Sequence, residues 1–337
     1  MLLHLYPTDI VWQVLHSDFF ERWHWFKYHF NVLLTQGHNE FAESILDCCL
    51  DCEKKIPGFA VKMLSDLASL SGKEKYLPHY EQLLQRLAEL LIIRQIVTFP
   101  WPEGARFSWE PTAGSVKKNP ELLVTSGEVV VGYEVKAPCL INHIRTRAMN
   151  RAQLPARIPE ADLVSLAHEV FGSDVTLPRD NPMKDFLISA DEKFSAFREE
   201  NEKFVGILVV VWDDYVYEPV SSLLHESSGL FSPNSFARGP NDEPLKFTNV
   251  EGVVLVRHLH QLIRAAEEAP LFDSCHHALD YGRPGEFPPK VFIQNPRAES
   301  IEAPSIVLES LQAEFYSPEM GAEYLPQDLV HWISSRT

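Results

Sequence analysis

Glu134 and Lys136 stand two residues apart at the end of an apolar run, and Glu121 stands just after Pro120 at the start of the same stretch, PELLVTSGEVVVGYEVK. Two carboxylates and an ammonium on one face are what metal-assisted hydrolysis of a phosphodiester needs. Carboxylate oxygens hold a hard divalent cation, and the ammonium faces the negative charge that develops in the transition state. Strand side chains alternate between faces, so Glu134 and Lys136 point one way while Tyr133 and Val135 point the other. A two-residue turn at Ser126 and Gly127 would pair Thr125 with Glu128 and set Glu121 opposite Gly132. Glu121 then shares the face of Glu134 and Lys136, with Glu134 as its diagonal neighbour. Gly132 would leave the spot opposite Glu121 open for an ion or a backbone.

The plain alternative is an amphipathic edge with solvated charges. Against it stands the run from Val129 to Val135, apolar on both faces, as in a strand inside a sheet. Charges at the end of such a strand are costly unless they are partnered or put to use.

The charge pattern continues from that strand end. No acidic residue falls between Glu134 and Glu160, whereas Lys136, His143, Arg145, Arg147, Arg151 and Arg157 do. Neutralising phosphates is the chemistry such a segment suits; salt bridges to the chain's many carboxylates are the alternative. A net charge of -17 argues against coating nucleic acid with the whole surface, and leaves room for a local basic groove.

The elements that must position these residues follow from periodicity. Ile10 to Leu34 is dense in aromatic and aliphatic residues and predicts a helix, or a pair, buried on several sides. Phe41 to Cys52 and Ala60 to Leu70 predict further helices, separated by Pro57-Gly58. Pro78 to Ile96 predicts a longer one that carries Glu81 and Glu89, ended by the prolines at 100 and 102. Arg106 to Glu110 predicts a first strand and 120–136 the second and third. Helices follow over Glu160 to Phe171 and within Pro182 to Lys203. Phe204 to Trp212, FVGILVVVW, is the clearest buried strand and is expected beside the second strand of the hairpin. Strands at Gly252 to Val256 and Val291 to Gln294, and helices at His258 to Glu268 and near Asp328 to Ser334, complete the chain. This order predicts an α/β core around a mixed sheet. It divides the chain into a helical N-terminal domain over 1–77, an α/β domain over 78–268 and a C-terminal extension over 269–337 packed on the core.

Composition sets the outer bounds. Hydrophobic residues at 45% and charged residues at 23% are those of a soluble globular protein. No apolar run approaches the roughly 20 residues of a membrane span, so no membrane partner is expected. The first residues, MLLHLYPTDIVW, lack a basic leader, which predicts a cytoplasmic location. Five cysteines, with Cys48, Cys49 and Cys52 clustered in a helical stretch, do not make a disulfide framework; they read as packing residues. Two histidine clusters, His258 with His260 and His276 with His277 beside Cys275, lack the partner motifs of a zinc site. No G-x-S-x-G, P-loop or H-E-x-x-H occurs, which removes nucleophile-elbow hydrolases, Walker NTPases and zincins.

Together, Pro120-Glu121, Glu134-Val135-Lys136 and the order of elements resemble the PD-(D/E)XK, or restriction-endonuclease-like, nuclease superfamily over roughly Glu89 to Trp212. Glu121 stands where that family usually has aspartate. The resemblance implies a restriction-endonuclease-like core with a central mixed sheet flanked by helices. It implies Glu121, Glu134 and Lys136 as catalytic residues, and Mg²⁺ or Mn²⁺ held by Glu121, Glu134, the backbone carbonyl of Val135 and a helix glutamate, Glu89, with Glu81 in reserve. Arg145, Arg147, Arg151 and Gln153 would grip nucleic acid, DNA rather than RNA. By analogy, such nucleases serve restriction, phage defence or toxicity, as endonucleases or exonucleases, with a protein partner or second copy possible. The alternative is a degenerate nuclease fold that binds nucleic acid or a protein partner without chemistry.

Overall fold

The aromatic density of the first hundred residues becomes a layer of helices ahead of the first strand. The computed structural model of the chain describes residues 6–112, 119–150, 152–154, 161–172, 174–179, 181–267, 269, 271, 279, 290–298 and 305–313. Its first helices are α1 (Thr8–Leu15), α2 (Asp18–Glu21), α3 (Lys27–Gln36), α4 (Glu40–Glu53), α5 (Phe59–Ser69) and α6 (Leu77–Thr98). The stretch from Ile10 to Leu34 is therefore three helices, not one or two. Ser17 interrupts it, its hydroxyl accepting from Phe19 N to cap α2. Asn39 caps α4 by accepting from Ala42 N at 2.9 Å. Helix α6 takes Pro78 in its first turn, where a missing N–H costs nothing, and stops ahead of Pro100. Between Leu83 and Val97 its side chains are buried almost all round, Glu89 and Gln95 among them.

The remaining elements are β1 (Arg106–Trp109), β2 (Leu122–Ser126), β3 (Val129–Lys136), α7 (Ile141–Met149), β4 (Ala152–Gln153), α8 (Ala161–Phe171), β5 (Val175–Thr176), α9 (Asn181–Glu200), β6 (Phe204–Trp212), α10 (Tyr217–Leu224), β7 (Gly252–Arg257), α11 (Leu259–Ala266), β8 (Lys290–Gln294) and α12 (Ser305–Leu311). Among the described residues six strands form one mixed sheet in the order β1-β2-β3-β6-β7-β8, and β4 with β5 forms a small second sheet. β6 runs parallel to β3 on one side and to β7 on the other, while the β1-β2, β2-β3 and β7-β8 pairs are antiparallel. Every side chain of β6 is buried, as a central strand covered on both faces requires. The architecture is α/β, with a central mixed sheet flanked by helices.

The hairpin turn differs from expectation. Ser126 pairs with Val129, so the two turn residues are Gly127 and Glu128, not Ser126 and Gly127. Gly127 has φ +61°, the left-handed region a tight hairpin turn asks of its first central residue. The slip is of two positions in pairing, and a period of two keeps every side chain on its face. Gly132 now pairs with Leu123, and the ladder extended one residue past Leu122–Tyr133 sets Glu121 across from Glu134. Gly132 does not leave an open spot. A Cβ there would lie 2.6 Å from the Phe204 ring and 3.1 Å from that of Phe194.

Gly132 pairs with Gly206 across β3 and β6. At Gly206 an added Cβ would meet Asn249 O at 2.3 Å and the Phe194 ring at 2.5 Å. The two glycines thus form a trough on the sheet into which α9 drops Phe194. Phe194 is fully buried, as are Met183, Leu187 and Ala190, which line the same helix face with Phe197. On the other face Tyr133 meets Ser310 of α12 through its hydroxyl at 3.1 Å. One contiguous cluster of buried apolar side chains runs from Ile10 to Ala313, through the N-terminal helices and both faces of the sheet.

Cys48, Cys49 and Cys52 are buried thiols in α4, with Cys48 Sγ donating to Leu279 O at 3.7 Å, and burial pushes the Cys49 and Cys52 thiols up, consistent with packing. Among the described residues no helix is long and apolar enough to cross a membrane. Arg151, Arg157, Cys275 to His277 and the terminal helix expected near Asp328 lie outside the described residues.

Candidate active site

Three elements bring charged groups to the end of β3. β3 supplies Glu134 and Lys136, the residue leading into β2 supplies Glu121, and α9 supplies Lys193. Glu134 is fully buried at the floor, while the side chains of Glu121, Lys136 and Lys193 keep 11 to 15% exposure above it. The Lys136 and Lys193 ammoniums each lie 2.6 Å from Glu134 Oε1. They lie 3.9 and 3.8 Å from Glu121 Oε1. Val135 stands between the two strand residues with its side chain buried on the opposite face, so only its backbone carbonyl is available to the site.

Glu89 joins from α6. Its carboxylate is buried and held by Arg86 and, at 3.2 Å, by the Gln85 amide. Burial raises its pKa against the opposing pull of Arg86 and Lys136. Glu89 in turn raises Glu121, so the two carboxylates share one electrostatic neighbourhood. Glu81 does not join them. Its Oε1 accepts from Ile141 N at 3.3 Å at the start of α7.

Burial, followed by the charges of Glu89 and Glu134, raises Glu121 to about 8. Burial also disfavours the charge on Lys136, but Glu134, Glu121 and Glu89 outweigh it and raise its pKa. Lys136 is therefore a fixed ammonium and not a base at neutral pH.

The chain matches no family model, no curated protein and no solved structure.

What the cluster can hold follows from its donors. Glu134 Oε2 is buried without a hydrogen-bond partner. A carboxylate oxygen in that state is costly, and a cation is one group that satisfies it. Oxygen donors suit Mg²⁺ or Mn²⁺. Among the described residues no group of three or more His, Cys, Asp or Glu is placed to hold a metal ion, so Glu89 does not stand as a third carboxylate ligand with Glu121 and Glu134, contrary to expectation. A cleft of about 290 Å³ opens between α5 and α6, lined in part by Gln85 and Arg86, the two residues that hold Glu89.

The expected phosphate grip is placed differently. Arg145 is exposed on α7. Arg147, two residues on, turns inward: its guanidinium lies 2.6 Å from Asp213, 3.4 Å from Asp214 and 3.5 Å over the ring of Tyr215. Burial raises Asp213 to about 6, with Arg147 partly opposing. Gln153 is also buried; its amide donates to Glu218 Oε1 at 2.9 Å, the same oxygen that His143 reaches at 2.7 Å. Arg147 and Gln153 thus serve internal networks at the end of β6, correcting the expectation that they face nucleic acid.

Sequence reasoning missed Lys193 and Arg86. Arg86 stands three residues before Glu89, on the same face of a helix. Lys193 directly precedes Phe194 on the border of the buried face of α9, and that position was its one local signal.

Proposed function

We propose that the chain is a Mg²⁺- or Mn²⁺-dependent nuclease with a restriction-endonuclease-like core, hydrolysing phosphodiester bonds in DNA rather than RNA. The observation that carries this reading is the meeting of Glu121, Glu134 and Lys136 at the end of β3, with the Glu89 carboxylate of α6 raising the pKa of Glu121. These groups are brought together on a sheet in which β6 lies beside β3, as the hydropathy of Phe204–Trp212 leads one to expect. Glu121 and Glu134 would hold the cation, with the Val135 carbonyl beside them. When bound, the cation supplies Lewis-acid stabilisation of phosphate charge and a more acidic water.

The chain's own residues supply the rest. Glu134, at the floor, contacts both ammoniums through one oxygen. Lys136 remains charged and presents an N–H donor to a non-bridging phosphate oxygen, where negative charge grows. Glu89, held by Arg86 and Gln85, keeps the field around Glu121 negative. Arg145, exposed beyond the site, offers a guanidinium to the substrate backbone.

The test is incubation with plasmid, linear duplex, single-stranded DNA and RNA in the presence of Mg²⁺ or Mn²⁺. Cleavage that is lost in Glu134→Gln and in Lys136→Met supports the reading; no cleavage by wild type, or cleavage by the variants equal to that of wild type, refutes it. A second reading is a degenerate nuclease fold that binds nucleic acid without chemistry. The specific observation favouring it is that Glu89 and Glu134 are already paired with Arg86, Lys136 and Lys193. Binding that survives in Glu134→Gln, with no cleavage by wild type, would select it.

A further inference from the structure

Two ammoniums contact the same oxygen of Glu134 while its other oxygen has no partner. One fixed ammonium would serve the chemistry proposed above, so the second needs its own explanation. We infer that Lys193 is an exchangeable counter-ion: it pairs with Glu134 in the cation-free protein and is displaced when a divalent cation binds. This rests on the metal-dependent reading.

Lys136 and Lys193 are not equivalent, although their distances to Glu134 and Glu121 are nearly the same. Lys136 leaves β3 two residues from Glu134, and a third carboxylate, Glu89, also holds its charge. Lys193 comes from α9, whose backbone is set by Ala190, Phe194 and Phe197 packed against the sheet. Its Cα is fixed by that packing on an element separate from the strand that carries Glu134. An ammonium that reaches the site from another element can withdraw without moving the strand, whereas Lys136 shares its backbone with Glu134. The charge balance requires something to leave. Glu134 and Glu89 are already opposed by Lys136, Lys193 and Arg86, and the Glu121 carboxyl, its pKa raised to about 8, adds little negative charge at neutral pH, so a divalent cation entering an unchanged cluster would meet no net attraction.

Substituting Lys193 by a neutral side chain of similar length should therefore tighten cation binding. Mn²⁺ titration monitored by electron paramagnetic resonance gives the affinity without any substrate. Lys193→Met is expected to bind Mn²⁺ at least about tenfold more tightly than wild type, since a competing unit charge within contact distance of the donors is gone. Lys193→Gln should do the same, and guards against a folding defect peculiar to the methionine. In wild-type protein carrying ¹³C-labelled lysine, Mg²⁺ should move the Lys193 side-chain resonances toward those of a solvated lysine and leave Lys136 little changed. If wild type binds Mn²⁺, loses it in Glu134→Gln, and Lys193→Met and Lys193→Gln bind no more tightly, Lys193 is not the counter-ion and the inference falls while the metal reading stands. If neither wild type nor either Lys193 variant binds Mn²⁺, the metal reading itself falls, and the inference with it.

Discussion

Glu121→Gln removes a charge from the mouth of the site while keeping its shape. Burial, then the Glu89 and Glu134 carboxylates, raise the Glu121 carboxyl from 4.5 to about 8, with Lys136 and Lys193 only partly opposing. The folded protein therefore keeps a proton that the unfolded chain has released once the pH passes 4.5. The resulting stabilisation is complete below that value and is lost as the pH rises through about 8. At about 1.36 kcal/mol per pKa unit, the interval from 4.5 to about 8 corresponds to about 5 kcal/mol. Glutamine resembles the neutral carboxyl at every pH, so the variant lacks this dependence, and titrating groups away from the cluster cancel in the comparison. Urea unfolding of both proteins between pH 5 and pH 9 measures it. The two should have nearly equal stability at pH 5, and the variant should be several kcal/mol more stable at pH 9. Under the proposed function Mg²⁺ shrinks the difference, because a cation held by Glu121 favours its charged form. A stability difference that stays constant across this range would refute the placement of Glu121 among buried carboxylates.

Arg147→Ala should destabilise by about 3–5 kcal/mol, because it leaves Asp213 buried and uncompensated, whereas Arg145→Ala on the exposed face of α7 should change stability by under about 0.5 kcal/mol; equal melting temperatures for the two variants would contradict the inward turn of Arg147. Gly206→Ala forces a Cβ to within 2.3 Å of Asn249 O, and denaturant unfolding should show a loss of at least about 1–3 kcal/mol, a midpoint like that of wild type being the contrary result. Cys49 and Cys52 should resist a disulfide-exchange reagent at pH 8 until the protein is unfolded, since burial suppresses their thiolates; mass spectrometry showing either one modified in the native protein would place α4 wrongly.

Much of the frame is legible in the chain because it is local. The unbroken apolar run of β6 specifies a strand covered on both faces, and Glu134 and Lys136 must share a face because a strand repeats every two residues. That same period explains why placing the hairpin turn one residue early did no harm to the face of Glu121. The position of Glu89 on α6 is likewise a matter of helix register along a recognisable stretch.

The rest depends on contacts between residues far apart in sequence, where no local pattern applies. Lys193 reaches Glu134 only because Gly132 and Gly206 pair across two parallel strands and let Phe194 sink onto the sheet, a closeness neither glycine announces by itself. Arg145 and Arg147 look alike in a basic segment; Asp213, emerging from the end of β6, draws one of them inward because a buried carboxylate needs a partner more than a surface arginine needs water. By itself, then, the sequence determined which residues lie on one face of the hairpin, since strand periodicity is an intrinsic property of the backbone. Only the tertiary structure decided which cations face those carboxylates, since that is a property of how the elements pack.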